Sequence, residues 1–142
     1  MSSIQKRSWL MLWSMCPAYC VYFILQIVAP GLMQTAAARI GCLAIYAGLH
    51  AVIYLVGFSI IKLRERGESL LEDERDLGID ARATRVAYFI MLTGMIVVGV
   101  VMPFSDNGWT LINTALFLIV LTEAVRHVLI LMGYRGVMRV AH

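Results

Sequence analysis

Glu123, Arg126 and His127 lie within the run FLIVLTEAVRHVLILMG, residues 117–133, which is otherwise apolar. On a helix, side chains three and four residues apart share a face, so one carboxylate there reaches both a guanidinium and an imidazole. Such a trio can act as an ion-paired clamp between helices, or it can pass a proton or hold a ligand. The clamp is the first expectation. His50 poses the same question from inside AGLHAVIYLVG, residues 47–57. An ionisable group at membrane depth is a functional candidate by default. Three readings compete: a neutral imidazole hydrogen-bonded to Thr93, a tyrosine or a carbonyl; a proton relay or sensor, since histidine titrates near neutral pH; and a haem or metal ligand. The first is preferred. Cys16 and Cys20 share a helical face and could join His50 around a metal. They show no diagnostic ligand spacing, and buried cysteines usually behave as small hydrophobes.

The elements that position these residues are membrane spans. The chain has 142 residues, 61% hydrophobic and only 15% charged, with a mean hydropathy of +0.80. A soluble domain carries about 25% charged residues. The expected fold is all-α: an antiparallel four-helix transmembrane bundle forming a single membrane domain over residues 1–142. The spans fall at about 9–28, 40–61, 86–102 and 109–132, each near the ~20 residues a bilayer crossing needs. Trp9–Val28 is longer than the roughly 7–15 residue core of a signal peptide, so it is expected to be a retained first span. Ala29-Pro30-Gly31 ends that span, and PFSDNG, residues 103–108, turns the chain between the third and fourth.

Basic residues set the orientation. Lys6 and Arg7 precede the first span, six Lys or Arg lie within 62–85, and Arg135 and Arg139 lie in the tail, whereas the two other loops hold only Arg39. The positive-inside rule then puts both termini and the 62–85 loop in the cytoplasm. Counting inward from the outer boundary at ~1.5 Å per residue puts His50 about 15 Å deep, at the midplane of a ~30 Å core. Glu123 comes out at about 21 Å, Arg126 at about 26 Å and His127 at about 27 Å, close to the inner interface where an arginine can snorkel. Arg82 or Arg85, at the start of the third span, is expected to reach this cluster. The segment VLILM, residues 128–132, would overhang and pack on Leu70, Leu71 and Leu77.

Ala37, Gly41, Ala44, Gly48 and Ala51 give the second span small residues at helical spacing, which lets backbones approach closely. That helix is expected to be the central packing element. Packing within the chain is preferred over a homo-oligomer interface, which stays open. The loop stretch ERGESLLEDERDLGIDARATRVAYF, residues 65–89, holds seven of the nine acidic residues. Ser69 and Glu72 fit a capping box, and Glu72 can pair with Arg75. Beyond them, either Gly78 stops a helix and Asp80 caps a new one, or a continuous helix extends the third span by some 20 Å. Continuity is preferred because Ala81, Arg82 and Ala83 are good helix formers. The acidic balance of residues 65–80 argues against simple adhesion to lipid, which favours basic segments.

EDERD, residues 72–76, followed by DARATRVAYFIML, residues 80–92, resembles an uncharacterised family of small four-span bacterial and archaeal membrane proteins. These carry an acidic Asp-Glu-Arg motif on the cytoplasmic side before the third span, matched here by Asp73, Glu74 and Arg75. The resemblance covers about 25 residues specifically and the rest in layout; it brings no known activity. It implies a bacterial inner-membrane location. It also implies a regulatory role, since members are often encoded beside small helix-turn-helix regulators.

No G-x-S-x-G, H-E-x-x-H or phosphate-binding glycine loop occurs, so a non-enzymatic protein with no cofactor is expected. The leading expectation is a regulatory or scaffolding protein of the bilayer that binds a cytosolic protein through Asp73, Glu74 and Arg75, without contacting nucleic acid directly. The alternative is an oligomeric pathway for ions, protons or a small solute using His50 and Glu123. A haem or metal redox subunit is third.

Overall fold

The computed structural model describes residues 2–65 and 74–140, apart from the side chains of Arg75 and residues 136–140. The fold is all-α, with four long helices: α1 (Ser3–Val28), α2 (Ala36–Arg64), α3 (Glu74–Ile96) and α4 (Gly108–Val140). Each is long and apolar enough to cross a membrane. The chain divides into two compact units, Met1–Leu70 and Leu71–His142. Each contains one helical hairpin, matching the two-plus-two layout of the spans.

In the first unit, α1 opens with a capping box that the sequence reading missed. The Gln5 amide donates to Ser2 Oγ at 3.3 Å, and the Ser2 amide donates back to Gln5 Oε1 at 3.0 Å. Pro17 sits inside α1; it has no amide hydrogen to return to the carbonyl four residues earlier. Ala29-Pro30-Gly31 does end the helix, and a 3₁₀ turn over Pro30–Met33 follows. Arg39, in the first turn of α2, closes that connection: its Nε donates to the Met33 carbonyl at 2.7 Å. Thr35 Oγ1 then caps α2 by accepting from the Ala38 amide at 3.2 Å.

The expectation that α2 is the central packing element is corrected. None of its residues is buried, and Ala37, Gly41, Ala44, Gly48 and Ala51 are all exposed. A Cβ added at Gly41 or Gly48 would meet nothing within 4 Å. Tyr46, His50, Tyr54 and Phe58, four residues apart, form the stripe that carries the ring contacts of α2. Tyr22 of α1, fully buried, meets Tyr46 edge-on at 5.9 Å. Ala44 and Gly48 each stand two residues from Tyr46, a member of that stripe. At about 100° per residue, two positions are some 200° around the helix. Filling one face with rings therefore turns the small residues to the other.

In the second unit, α3 runs unbroken through Gly78, the preferred of the two expectations for this segment. Gly78 is exposed, and a Cβ there would touch nothing within 4 Å. Gly78→Ala should therefore stabilise the start of α3 by up to about 1 kcal/mol. Amide hydrogen exchange across residues 74–82 should slow; unchanged exchange would count against a continuous helix. At its other end α3 passes into a π-turn over Val97–Val101, where the Met102 amide donates to the Val97 carbonyl. Pro103 follows, and its missing amide hydrogen removes the regular bond to Gly99. Asn107 caps α4, its Oδ1 accepting from the Thr110 amide at 2.9 Å and from Thr110 Oγ1 at 3.1 Å. The helix continues to Val140, beyond the expected end of the span near 132.

Candidate functional site

The polar residues of α4 meet α3 at its charged end. Glu123, Arg126 and His127 share one face, as their spacing requires. Glu123 Oε2 lies 3.8 Å from Arg126 Nη1 and 3.6 Å from His127 Nε2. The Arg126 guanidinium also crosses to α3, where its Nη2 donates to Asp80 Oδ1 at 3.1 Å and its Nε to Thr84 Oγ1 at 3.1 Å. Asp80 and Thr84 stand four residues apart and present adjacent acceptors on one helical face. One planar guanidinium thus donates to two partners through separate N–H groups while its charge also faces Glu123, a geometry that lysine cannot copy.

Arg82 or Arg85 was expected to reach this cluster from α3; Asp80 and Thr84 do so instead. Arg82 is two residues from each of them, about 200° around the helix, and faces elsewhere. Arg85 is about 100° from Thr84. Asp80 had been weighed only as a cap for a helix restarting after Gly78. Because α3 is continuous, its amides near Asp80 are occupied within the helix, and the carboxylate is free to pair across the hairpin. The Asp80, Glu123 and Arg126 side chains are each about one-third exposed, at 35%, 33% and 31%. This is an ionic clamp at the rim of the unit rather than a sealed charge cluster.

The first hairpin has its own clamp. Glu65, 4% exposed at the end of α2, accepts from Ser3 Oγ at 3.0 Å and from Lys6 Nζ at 3.4 Å. Arg7 lies with its guanidinium carbon 5.4 Å from the centre of the Phe58 ring, a cation–π arrangement. The sequence reading treated Lys6 and Arg7 only as markers of orientation. A buried glutamate beside a basic helix start was the signal available, but it needed the hairpin pairing to be known first.

His50 belongs to the first unit. Its ring centre is 5.8 Å from that of Tyr19 on α1 and 6.3 Å from that of Tyr54 on α2. The expected hydrogen-bonded imidazole is not found at Nδ1, which is buried with no hydrogen-bond partner among the described residues. Cys16, Cys20 and Cys42 are free thiols. Among the described residues no three His, Cys, Asp or Glu side chains converge as metal ligands, so the arrangement of Cys16, Cys20 and His50 weighed from the sequence is not assembled.

Of the Asp-Glu-Arg stretch, Glu74 is exposed on the first residue of α3. Asp73 and the Arg75 side chain lie outside the described residues, as do the Ser69–Glu72 capping box, the Glu72–Arg75 pair, Leu70 and Leu71. Leu77 is 53% exposed. From the VLILM segment, Ile130 is 1% exposed. The next turn brings Gly133 against Ile79 of α3.

No family model, curated protein or solved structure matches this chain.

Proposed function

We propose that this multi-pass membrane protein is non-enzymatic and regulates or scaffolds by holding a cytosolic protein at the start of α3. The carrying observation is the continuity of α3 from a strongly charged segment into an apolar one. Glu74, Asp76, Asp80, Arg82 and Arg85 fall within its first twelve residues, and Val86 opens the apolar run. At ~1.5 Å per residue the six residues ahead of the clamp with Arg126, 74–79, make a helical arm about 9 Å long. The basic residues around it place the arm in the cytoplasm under the positive-inside rule, in this reading on the inner face of a bacterial inner membrane. Glu74 and Leu77 offer a charge and an apolar side chain to a partner, both exposed. The resemblance around EDERD makes a helix-turn-helix regulator the partner of choice, and the clamp at Arg126 fixes the base of the arm.

The test is affinity capture of the full chain from native membranes with mass spectrometry. Reversing the charges of Asp73, Glu74 and Arg75 together should reduce one captured protein by about tenfold or more, as expected when like charges are placed across an interface. An identical set of captured proteins from the reversed variant would overturn the proposal.

A further inference from the structure

Between α3 and α4, on the second hairpin alone, lies a groove lined by Ile79, Arg82, Ala83, Val86, Leu129 and Gly133, with a volume of about 250 Å³. This exceeds the ~150 Å³ cavity that accepts a benzene ring in an engineered protein core. Its shape follows from residue size. Ala83, 3% exposed, and Gly133 leave space where larger side chains would close the contact. Ile79, Val86 and Leu129 add apolar surface. A Cβ at Gly133 would lie 2.8 Å from Ile79 Cγ2, so the two helices already approach closely at that point.

Among the described residues, Arg82 is the one charged residue of the lining. It makes no hydrogen bond or ion pair among the described residues. Asp80 and Glu123, the carboxylates of the clamp, are engaged by Arg126 instead. The groove therefore pairs an apolar channel with a guanidinium that has no counter-charge among the described residues, at the end of the hairpin where α3 carries its charges. A ligand that answers both features has an apolar chain and an anionic head, and the bilayer supplies one. Basic pockets between transmembrane helices take up anionic headgroups in this way, and guanidinium matches phosphate through parallel N–H donors.

We propose that this groove binds an anionic phospholipid, with an acyl chain along Ala83, Val86 and Leu129 and the phosphate on Arg82. The site is independent of any cytosolic partner. It selects by charge, because a zwitterionic headgroup brings a cation that competes with Arg82 for its own phosphate.

The full chain in mild detergent, titrated with dioleoyl phosphatidylglycerol or dioleoyl phosphatidylcholine and read by native mass spectrometry, tests this. Phosphatidylglycerol should be retained in preference to phosphatidylcholine. Arg82→Gln should weaken its retention about fivefold, the effect of one cation near a membrane surface, and Arg82→Lys should keep part of the affinity. Arg85→Gln controls for general charge, since Arg85 is not in the groove lining and also lacks an ion partner among the described residues; it should change little. Val86→Trp, at a position 46% exposed and tolerant of a larger side chain, should obstruct the groove and lower retention with helicity unchanged. Equal binding of the two lipids, equal losses from Arg82→Gln and Arg85→Gln, or a dimer that Val86→Trp dissociates without any lipid preference would each overturn the assignment.

Discussion

Arg126→Ala should destabilise the second hairpin by about 2–3 kcal/mol, the range for losing hydrogen bonds to a charged group. The substitution leaves Asp80 and Glu123 without their shared cation and Thr84 Oγ1 without its donor. Breaking a fully buried ion pair costs about 3–5 kcal/mol; the one-third exposure of these side chains and solvent screening bring the figure down. Unfolding of the full chain in micelles, followed by circular dichroism against increasing denaturant, should show the earlier midpoint. Arg126→Lys should recover only part of the loss, because a point charge cannot reach Asp80 and Thr84 through separate planar donors. Asp80→Asn combined with Arg126→Ala should cost clearly less than the two single losses added, as expected of residues in direct contact. A midpoint for Arg126→Ala indistinguishable from wild type would mean that the clamp holds nothing.

The sequence disclosed some of this architecture and concealed the rest for definable reasons. Span number and class were legible because apolar runs near twenty residues have few soluble explanations. The pairing of Glu123 with Arg126 and His127 was legible because helix geometry fixes it within one segment. The cross-hairpin half of the clamp was not. Whether Asp80 capped a helix or faced α4 depended on Gly78, whose local cost of about 1 kcal/mol is small enough for tertiary packing to override. Glu65 and Lys6 are 59 residues apart in sequence, and no local pattern announces such a pair. His50 was flagged correctly as a polar residue in an apolar helix, but its ring neighbours Tyr19 and Tyr54 follow from the mutual rotation of α1 and α2. The small-residue stripe of α2 misled for the same reason: spacing places Gly41 and Gly48 on one face but does not say which way that face turns.

The glycines that bring helices together lie outside those stripes, and one of them predicts a large effect. At Gly94 of α3 an added Cβ would fall on both Leu118 methyls and within 2.9 Å of Leu118 Cγ. Gly57 of α2 stands in the same relation to Leu10 of α1. Neither glycine has a small residue four positions away: Ile53 and Ile61 flank Gly57, and Ile90 and Val98 flank Gly94. Each hairpin thus seats a leucine of one helix against a bare backbone on the other, a lone-glycine contact that a search for paired small residues passes over. Gly94→Leu should force the Leu118 side chain out of its site and cost about 3 kcal/mol, the upper part of the usual range for overpacking. Gly94→Ala should cost less, since part of the strain is offset by the ~1 kcal/mol advantage of alanine in a helix. Adding Leu118→Ala to Gly94→Leu should restore part of the stability by returning the space, whereas Leu118→Ala alone should destabilise by opening a cavity. Gly48→Ala, with nothing within 4 Å of the new atom, is the matched control and should leave the unfolding midpoint at or slightly above wild type. If Gly94→Leu and Gly48→Ala unfold at the same denaturant concentration, α3 and α4 do not meet at Leu118, and the packing of the second hairpin must be drawn differently.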